Sequence, residues 1–257
     1  MISFRIKYGI SVEEAWTALK DAGMIPLYSS EDEKGHAEIV IEGHSLLTIP
    51  SLSCVEVIKE IQAEPIDWEA QWTLHAKNYS DGHLHISLAN GRLIKLKPGP
   101  GFGDLSHPTT ELVLNLIFKQ LIPHRPFIDV GCGSGILAIC ASALGAYPVW
   151  AIDRDPEALQ HAKHNAEINE MDQMRFILPE ELKIVKKGLI TLAMNMISSE
   201  QEIAWKNLPC IHNGQILTSG ILKEQKSDYL ALTASWGWEV QEICEKEGWL
   251  GFKFLFG

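Results

Sequence analysis

The feature that most constrains this chain is a short loop of alternating glycines set between two apolar runs. Residues 127–136 read FIDVGCGSGI, and the aliphatic stretch continues to residue 145. An apolar run ending in Asp129, then Gly131, Gly133 and Gly135, then small and aliphatic residues, predicts a buried strand, a tight turn and a helix. Glycines let the backbone turn sharply and let a ligand approach with no Cβ in the way. The helix start adds N–H groups and a partial positive charge. Dinucleotide-binding loops follow GxGxxG, whereas this one is GxGxG, with Ile136 where the third glycine would fall. The spacing therefore argues against a nicotinamide cofactor.

The segments on either side repeat the strand and helix alternation. PVWAID is a second strand that ends in Asp153, where a carboxylate can accept both ribose hydroxyls of an adenosine. Asp155 and Pro156 follow as N-cap and first residue of a helix, DPEALQHAKHNAEIN. LITLAMN, ending in Asn195, and GQILTSGIL read as further strands, followed by a helix over about 223–236. WEVQEICE and WLGFKFLF, joined by a short EKEG turn, form an antiparallel pair. The expected fold class is α/β: a mostly parallel sheet, helices on both faces, and a closing antiparallel hairpin. Asn195 stands at the carboxyl end of a strand, where open α/β sheets place their ligands.

The amino-terminal part is of another kind. A strand over residues 2–8 leads to a helix over 11–22, opened by a capping box of Ser11 and Glu14. Two strands over 24–29 and 36–41 and a second helix over 53–61 complete a small α+β unit. The expected organisation is a domain at 1–62, a connector at 63–95 and a larger domain at 96–257. In the connector, Trp68 and Trp72 stand four residues apart as packing anchors, and HLHISL reads as a strand.

Composition narrows the partners. Of 257 residues 46% are hydrophobic, enough for a substantial core. The formal charge of -11 opposes direct contact with many nucleic-acid phosphates. No apolar run approaches the roughly 20 residues of a membrane span, and the amino terminus lacks the apolar segment of a signal peptide. Five cysteines scattered without a CxxC pair fit reduced thiols and no zinc site, so a cytoplasmic protein without a metal is expected. The pairs His83, His85 and His161, His164 have no accompanying carboxylate cluster and are expected to be solvated.

An acidic residue followed by GxGxG, with a second acidic residue ending the next strand, resembles the class I methyltransferases that use S-adenosylmethionine. More narrowly, the chain is similar to the ribosomal protein L11 methyltransferase family. That likeness rests on GPGFGDLSHPTT at 99–110, DVGCGSGILAI with AIDRDPEAL, Asn195 after LITLAM, SGILKEQKSDY with EGWLGF, and DWEAQW in the connector. It spans roughly residues 64–257. The resemblance implies a Rossmann-like sheet preceded by a small α+β domain. It implies S-adenosylmethionine as cofactor, held by Phe102, Gly103, Thr110, Asp129, Gly131, Gly133, Gly135, Asp153 and Asn195. It makes Asn195 the catalytic residue, its carbonyl oxygen holding the attacking nitrogen, and His107 a residue that positions the closing loop. It implies a basic ribosomal protein, L11, as the partner methylated on lysine or α-amino groups, with the amino-terminal unit gripping it.

Three departures from the family pattern stand out. Asp104 and Leu105 replace a Thr-Gly pair, Gly188 stands where an acidic residue often opens the fourth strand, and Met196-Ile197 replaces Ile-Leu. Leucine disfavours a positive φ, so a different loop path is expected there. Two alternatives stay open: a methyltransferase for another protein lysine or a small amine, and a binding module that has kept the fold without turnover.

Overall fold

The computed structural model describes residues 2–22, 24, 26–31, 36–41, 52–60, 69, 73, 78–103, 105, 107–183, 188–209, 211 and 213–257. Trp68, Trp72 and Asp104 lie outside them. The chain divides into two compact units, Met1–Ile66 and Asp67–Gly257. Among the described residues no helix is long and apolar enough to cross a membrane.

In the first unit, β1 (Ile2–Ile6), α1 (Val12–Asp21), β2 (Pro26–Glu31), β3 (Ala37–Ile41) and β4 (Val55–Glu60) form an antiparallel sheet in the order β2-β3-β1-β4 with one helix. The Ser11 and Glu14 capping box opens α1: the Ser11 hydroxyl accepts from the Glu14 N–H, and the Glu14 carboxylate accepts from the Ser11 N–H. Phe4, Ala15, Leu19, Ile39 and Ile41 build the core. The helix expected over 53–61 is instead strand β4, antiparallel to β1. Three of the six residues of VEVIKE are β-branched, and pairing with β1, with a register shift that skips Ile58, prevails over a helical reading. Val55 is buried and Glu56 exposed, as neighbours on a strand should be.

The second unit begins with a small antiparallel sheet of β5 (Tyr79–Ser80), β6 (His83–Ser87) and β7 (Leu93–Leu96). Residues 79–95, which the sequence assigns to the connector, place Leu84, Ile86 and Ile94 in the same core cluster as Val113, Leu137 and Ile139. Then follow α2 (Pro108–Gln120), β8 (Phe127–Val130), α3 (Ile136–Ala143), β9 (Val149–Ile152), α4 (Pro156–Ile168) and β10 (Arg175–Ile177). The chain continues through β11 (Ile190–Asn195), α5 (Ser198–Asn207), β12 (Gly214–Leu222), α6 (Lys226–Ser235), β13 (Glu239–Lys246) and β14 (Trp249–Phe256).

The large sheet has the order β10-β9-β8-β11-β12-β14-β13. The first five strands are parallel, and β14 and β13 close it antiparallel. Strands β8 and β9 are buried at every position, the mark of a parallel strand covered on both faces. One apolar cluster joins α2, α3 and α4 to one face of the sheet, and a second joins α5 and α6 to the other. The chain leaves β8 toward β9 on one side and returns as β11 on the other. The carboxyl ends of β8 and β11 therefore flank the topological switch point, the place where open α/β sheets form a ligand crevice.

Candidate functional site

The loop after β8 carries Gly131, Gly133 and Gly135, all at positive φ. Its five N–H groups all have acceptors within the protein. Gly131 and Cys132 donate to the Ile152 carbonyl at 2.8 and 2.9 Å, and Gly135 donates to Cys132 at 2.8 Å. Ser134 donates to the Phe102 carbonyl at 2.7 Å, and Gly133 donates to Asp153 Oδ2 at 3.0 Å. A loop that cradles phosphate keeps such donors free. This one does not, in agreement with the GxGxG spacing.

Acceptors are what remain. Asp129 is fully buried; one oxygen accepts from the Ala138 N–H at 3.1 Å in the first turn of α3, and Oδ1 has no partner among the described residues. Burial is the main cause that pushes its carboxyl up to about 7. The Ala138 N–H works against it, and the neighbouring Asp153 adds to it. Asp153 also accepts from the Asp155 N–H through Oδ1 at 3.1 Å. It is thus a structural brace of the loop as well as an acidic strand end. Each of its oxygens has one bond to the protein, which leaves acceptor capacity for a ligand.

Residues 97–103 lie directly on this loop. A Cβ at Gly101 would come within 2.4 Å of the Gly133 backbone, and one at Gly133 within 2.2 Å of the Phe102 carbonyl, so both positions require glycine. The Ser134 hydroxyl donates to the Gly103 carbonyl at 2.7 Å. Helix α4 holds the segment from the other side with a ladder one turn apart. The Asn169 side chain pairs with Lys95 N–H and carbonyl, and Asn165 accepts from Lys97 N–H at 2.8 Å. His161 Nδ1 accepts from Gly101 N–H at 3.1 Å, and Nε2 lies 2.8 Å from the Lys97 carbonyl. The expectation of a solvated His161 is corrected: it is buried, and burial lowers its pKa. Leu105 is not among the residues with positive φ and packs partly buried against the core.

The other side of the crevice joins Thr110 and Asn195. Thr110 is fully buried in the first turn of α2, and its Oγ1 accepts from Asn195 Nδ2 at 3.3 Å. Asn195 Oδ1 is buried and has no partner among the described residues. His107 is the N-cap of α2. Its ring meets Phe102 and Trp249 edge-on, with centroids 5.8 and 4.9 Å away, linking the loop before α2 to β14. Two groups of polar residues escaped the sequence reading. The His161, Asn165 and Asn169 ladder had a signal, a helical repeat of four among buried alanines. The other group, Gln201 with Tyr229 and Thr218, had none.

A family model described as ribosomal protein L11 methyltransferase (PrmA) matches residues 62–255. A protein of Escherichia coli (strain SMS-3-5 / SECEC) named ribosomal protein L11 methyltransferase is 30% identical over 240 residues, covering 89% of this chain and 80% of that protein. Among solved structures, a ribosomal protein L11 methylase from Lactobacillus delbrueckii subsp. bulgaricus is similar with a TM-score of 0.54 and 25% identity, over 69% of this chain and 90% of that one. A tRNA methyltransferase from M. jannaschii shares the fold, with a TM-score of 0.50 and 14% identity over 100% of this chain and 99% of that one.

Proposed function

Because the chain belongs to the ribosomal protein L11 methyltransferase family, we propose that it transfers methyl groups from S-adenosylmethionine to amino groups of ribosomal protein L11. The observation that carries this reading is the polarity of the crevice. The N–H groups of residues 131–135 are all paired inside the protein, while Asp129 Oδ1 and Asn195 Oδ1 are buried acceptors without partners among the described residues. A buried acceptor left alone costs about 1–3 kcal/mol, so it favours a ligand that brings donors. Ribose hydroxyls, an ammonium group and an attacking amine all bring donors; a pyrophosphate brings none.

When bound, S-adenosylmethionine supplies a methyl group on a sulfonium, open to in-line attack. The protein aligns the two partners and excludes water. Asp153 accepts from the ribose hydroxyls with the lone pairs its loop bonds leave over. Asp129 supplies buried negative charge beneath the loop, and a cation nearby draws its pKa back down. Thr110 holds the Asn195 amide through Nδ2, which directs Oδ1 to accept one N–H of the acceptor amine. That contact adds no charge, so it favours the neutral amine whose lone pair attacks. A lysine amine, with a pKa near 10.4, must shed its proton first.

The acidic chain, at -11, attracts a basic ribosomal protein and is repelled by the surrounding RNA, which favours the free substrate over the assembled ribosome in the cytoplasm. The family model begins at residue 62, and we assign the first unit, which lies before it almost entirely, to gripping the substrate. The test is incorporation of labelled methyl from S-adenosylmethionine into purified L11, with the modified amines located by mass spectrometry. Incorporation by the intact chain and its loss in Asn195→Ala are expected. Transfer to small amines with none to L11 would replace this substrate with the alternative class.

A further inference from the structure

Behind Asn195 lies a buried polar relay that the reaction as described does not use. Gln201 on α5 is fully buried. Its Nε2 donates to the Met196 carbonyl at 2.7 Å and to the Ser219 carbonyl at 3.0 Å. Its Oε1 accepts from the Tyr229 hydroxyl of α6 at 2.5 Å. Tyr229 is 1% exposed, and its hydroxyl also lies 3.0 Å from Thr218 Oγ1. Burial pushes its phenol well up, so it stays a neutral donor.

This relay clamps the chain just after the site. Met196 follows Asn195 directly, and Ser219 is the register partner of Asn195 on β12. Gly220 packs against the same peptide: a Cβ there would come within 2.2 Å of the Met196 carbonyl. Gln201 and Gly220 thus fix the Met196 carbonyl, one peptide beyond Asn195, and Tyr229 holds Gln201 in place, while Thr110 holds the Asn195 side chain. Gln201 stands near the start of α5, and its amide bonds the carbonyl just before that helix and one on β12, while α5 forms its own backbone bonds. An aliphatic side chain would fill the volume but leave the Met196 and Ser219 carbonyls and the Tyr229 hydroxyl without this partner, so the amide is placed for what it binds.

We propose that Gln201 and Tyr229 are positioning residues for the methyl transfer: by fixing the Met196 carbonyl and the Ser219 carbonyl beside β11, the relay holds the backbone from which the Asn195 side-chain oxygen points. The proposal rests on the reading of Asn195 given above. Misplacement of a reacting group by about 1 Å costs up to about a hundredfold in rate, so a partial loosening is expected to be read in kcat.

Tyr229→Phe removes one hydroxyl, keeps the ring, and frees Gln201 to turn from Met196. With L11 as substrate and both substrates saturating, well below the melting temperature, kcat is expected to fall about tenfold. The dissociation constant for S-adenosylmethionine, measured by calorimetry, should stay within about twofold. Thr218→Val removes the other partner of the same hydroxyl and leaves the bond from Tyr229 to Gln201, so it should lower the melting temperature while leaving kcat near the wild-type value. If Tyr229→Phe does not fold, Gln201→Met takes its place under the same criterion. A purely structural relay would move the melting temperature of both variants and kcat of neither. That result, or an equal fall of kcat in Thr218→Val, would overturn the proposal. Asn195→Ala is run alongside: full activity there sinks the reading of Asn195 itself, whereas a dead Asn195→Ala beside an unaffected Tyr229→Phe sinks only the relay.

Discussion

The carboxyl ends of β8 and β11 stand side by side in the sheet and handle their polar groups in opposite ways. After β8, every N–H of residues 131–135 is paired within the protein, three of them with β9 or the residue after it. At the end of β11, Asn195 has its amide donor tied to Thr110 and its acceptor oxygen without a partner among the described residues. The first end has its loop backbone finished and leaves one acceptor, Asp129 Oδ1, buried beneath it. The second leaves its acceptor on the side chain that ends the strand, at the cost of some stability. Sites of chemistry are where a protein retains such a group, because the reacting partner completes it.

That contrast can be attacked from both ends. The largest effect is expected at β11. Asn195→Ala should lower kcat for L11 methylation by about a hundredfold or more while changing the S-adenosylmethionine dissociation constant far less, measured by labelled methyl incorporation and calorimetry. At the β8 end the order should reverse. Asp153→Ala removes a charged acceptor and the brace of Gly133, so the cofactor dissociation constant should rise about tenfold or more. Equal effects of the two variants on both parameters would erase the division of labour.

The acceptor amine gives a third prediction. The rate at subsaturating L11 should rise about tenfold per pH unit from pH 7 toward 9, levelling near the amine pKa. A flat profile would mean that deprotonation of the amine does not govern the rate. The smallest effect belongs to Asp129. Its pKa of about 7 lies above the ordinary carboxylate value, so the folded protein binds the proton more tightly than the unfolded chain. The stability it contributes is present below pH about 4 and is lost as pH rises through about 7. Asp129→Asn should flatten that slope, seen as a smaller fall in melting temperature between pH 5 and 8. An unchanged slope would show that Asp129 is already ionised.

Much of the β8 end is legible in the sequence, because its causes are local. Three glycines at alternate positions specify the turn, an apolar run specifies a strand buried on both faces, and Asp155-Pro156 opens the next helix. The reading of Val55–Glu60 as a helix failed where a short segment satisfied both periods, and pairing with β1 decided between them. The grip on residues 97–103 by α4 was invisible for another reason: His161 and Asn165 bond backbone 60 and 68 residues away. Gln201 is the extreme case. Its helix reads as an ordinary polar surface segment, and only the fold brings Met196, Ser219 and Tyr229 around its amide.

This crevice offers acceptors and negative charge, not donors. Calorimetric titration of the intact chain at pH 7.5 with S-adenosylmethionine, and separately with a nicotinamide dinucleotide, tests this directly. Saturable heat in the micromolar range is expected with S-adenosylmethionine, and none with the dinucleotide at millimolar concentration. Binding of the dinucleotide, or silence with S-adenosylmethionine at millimolar concentration, would contradict it.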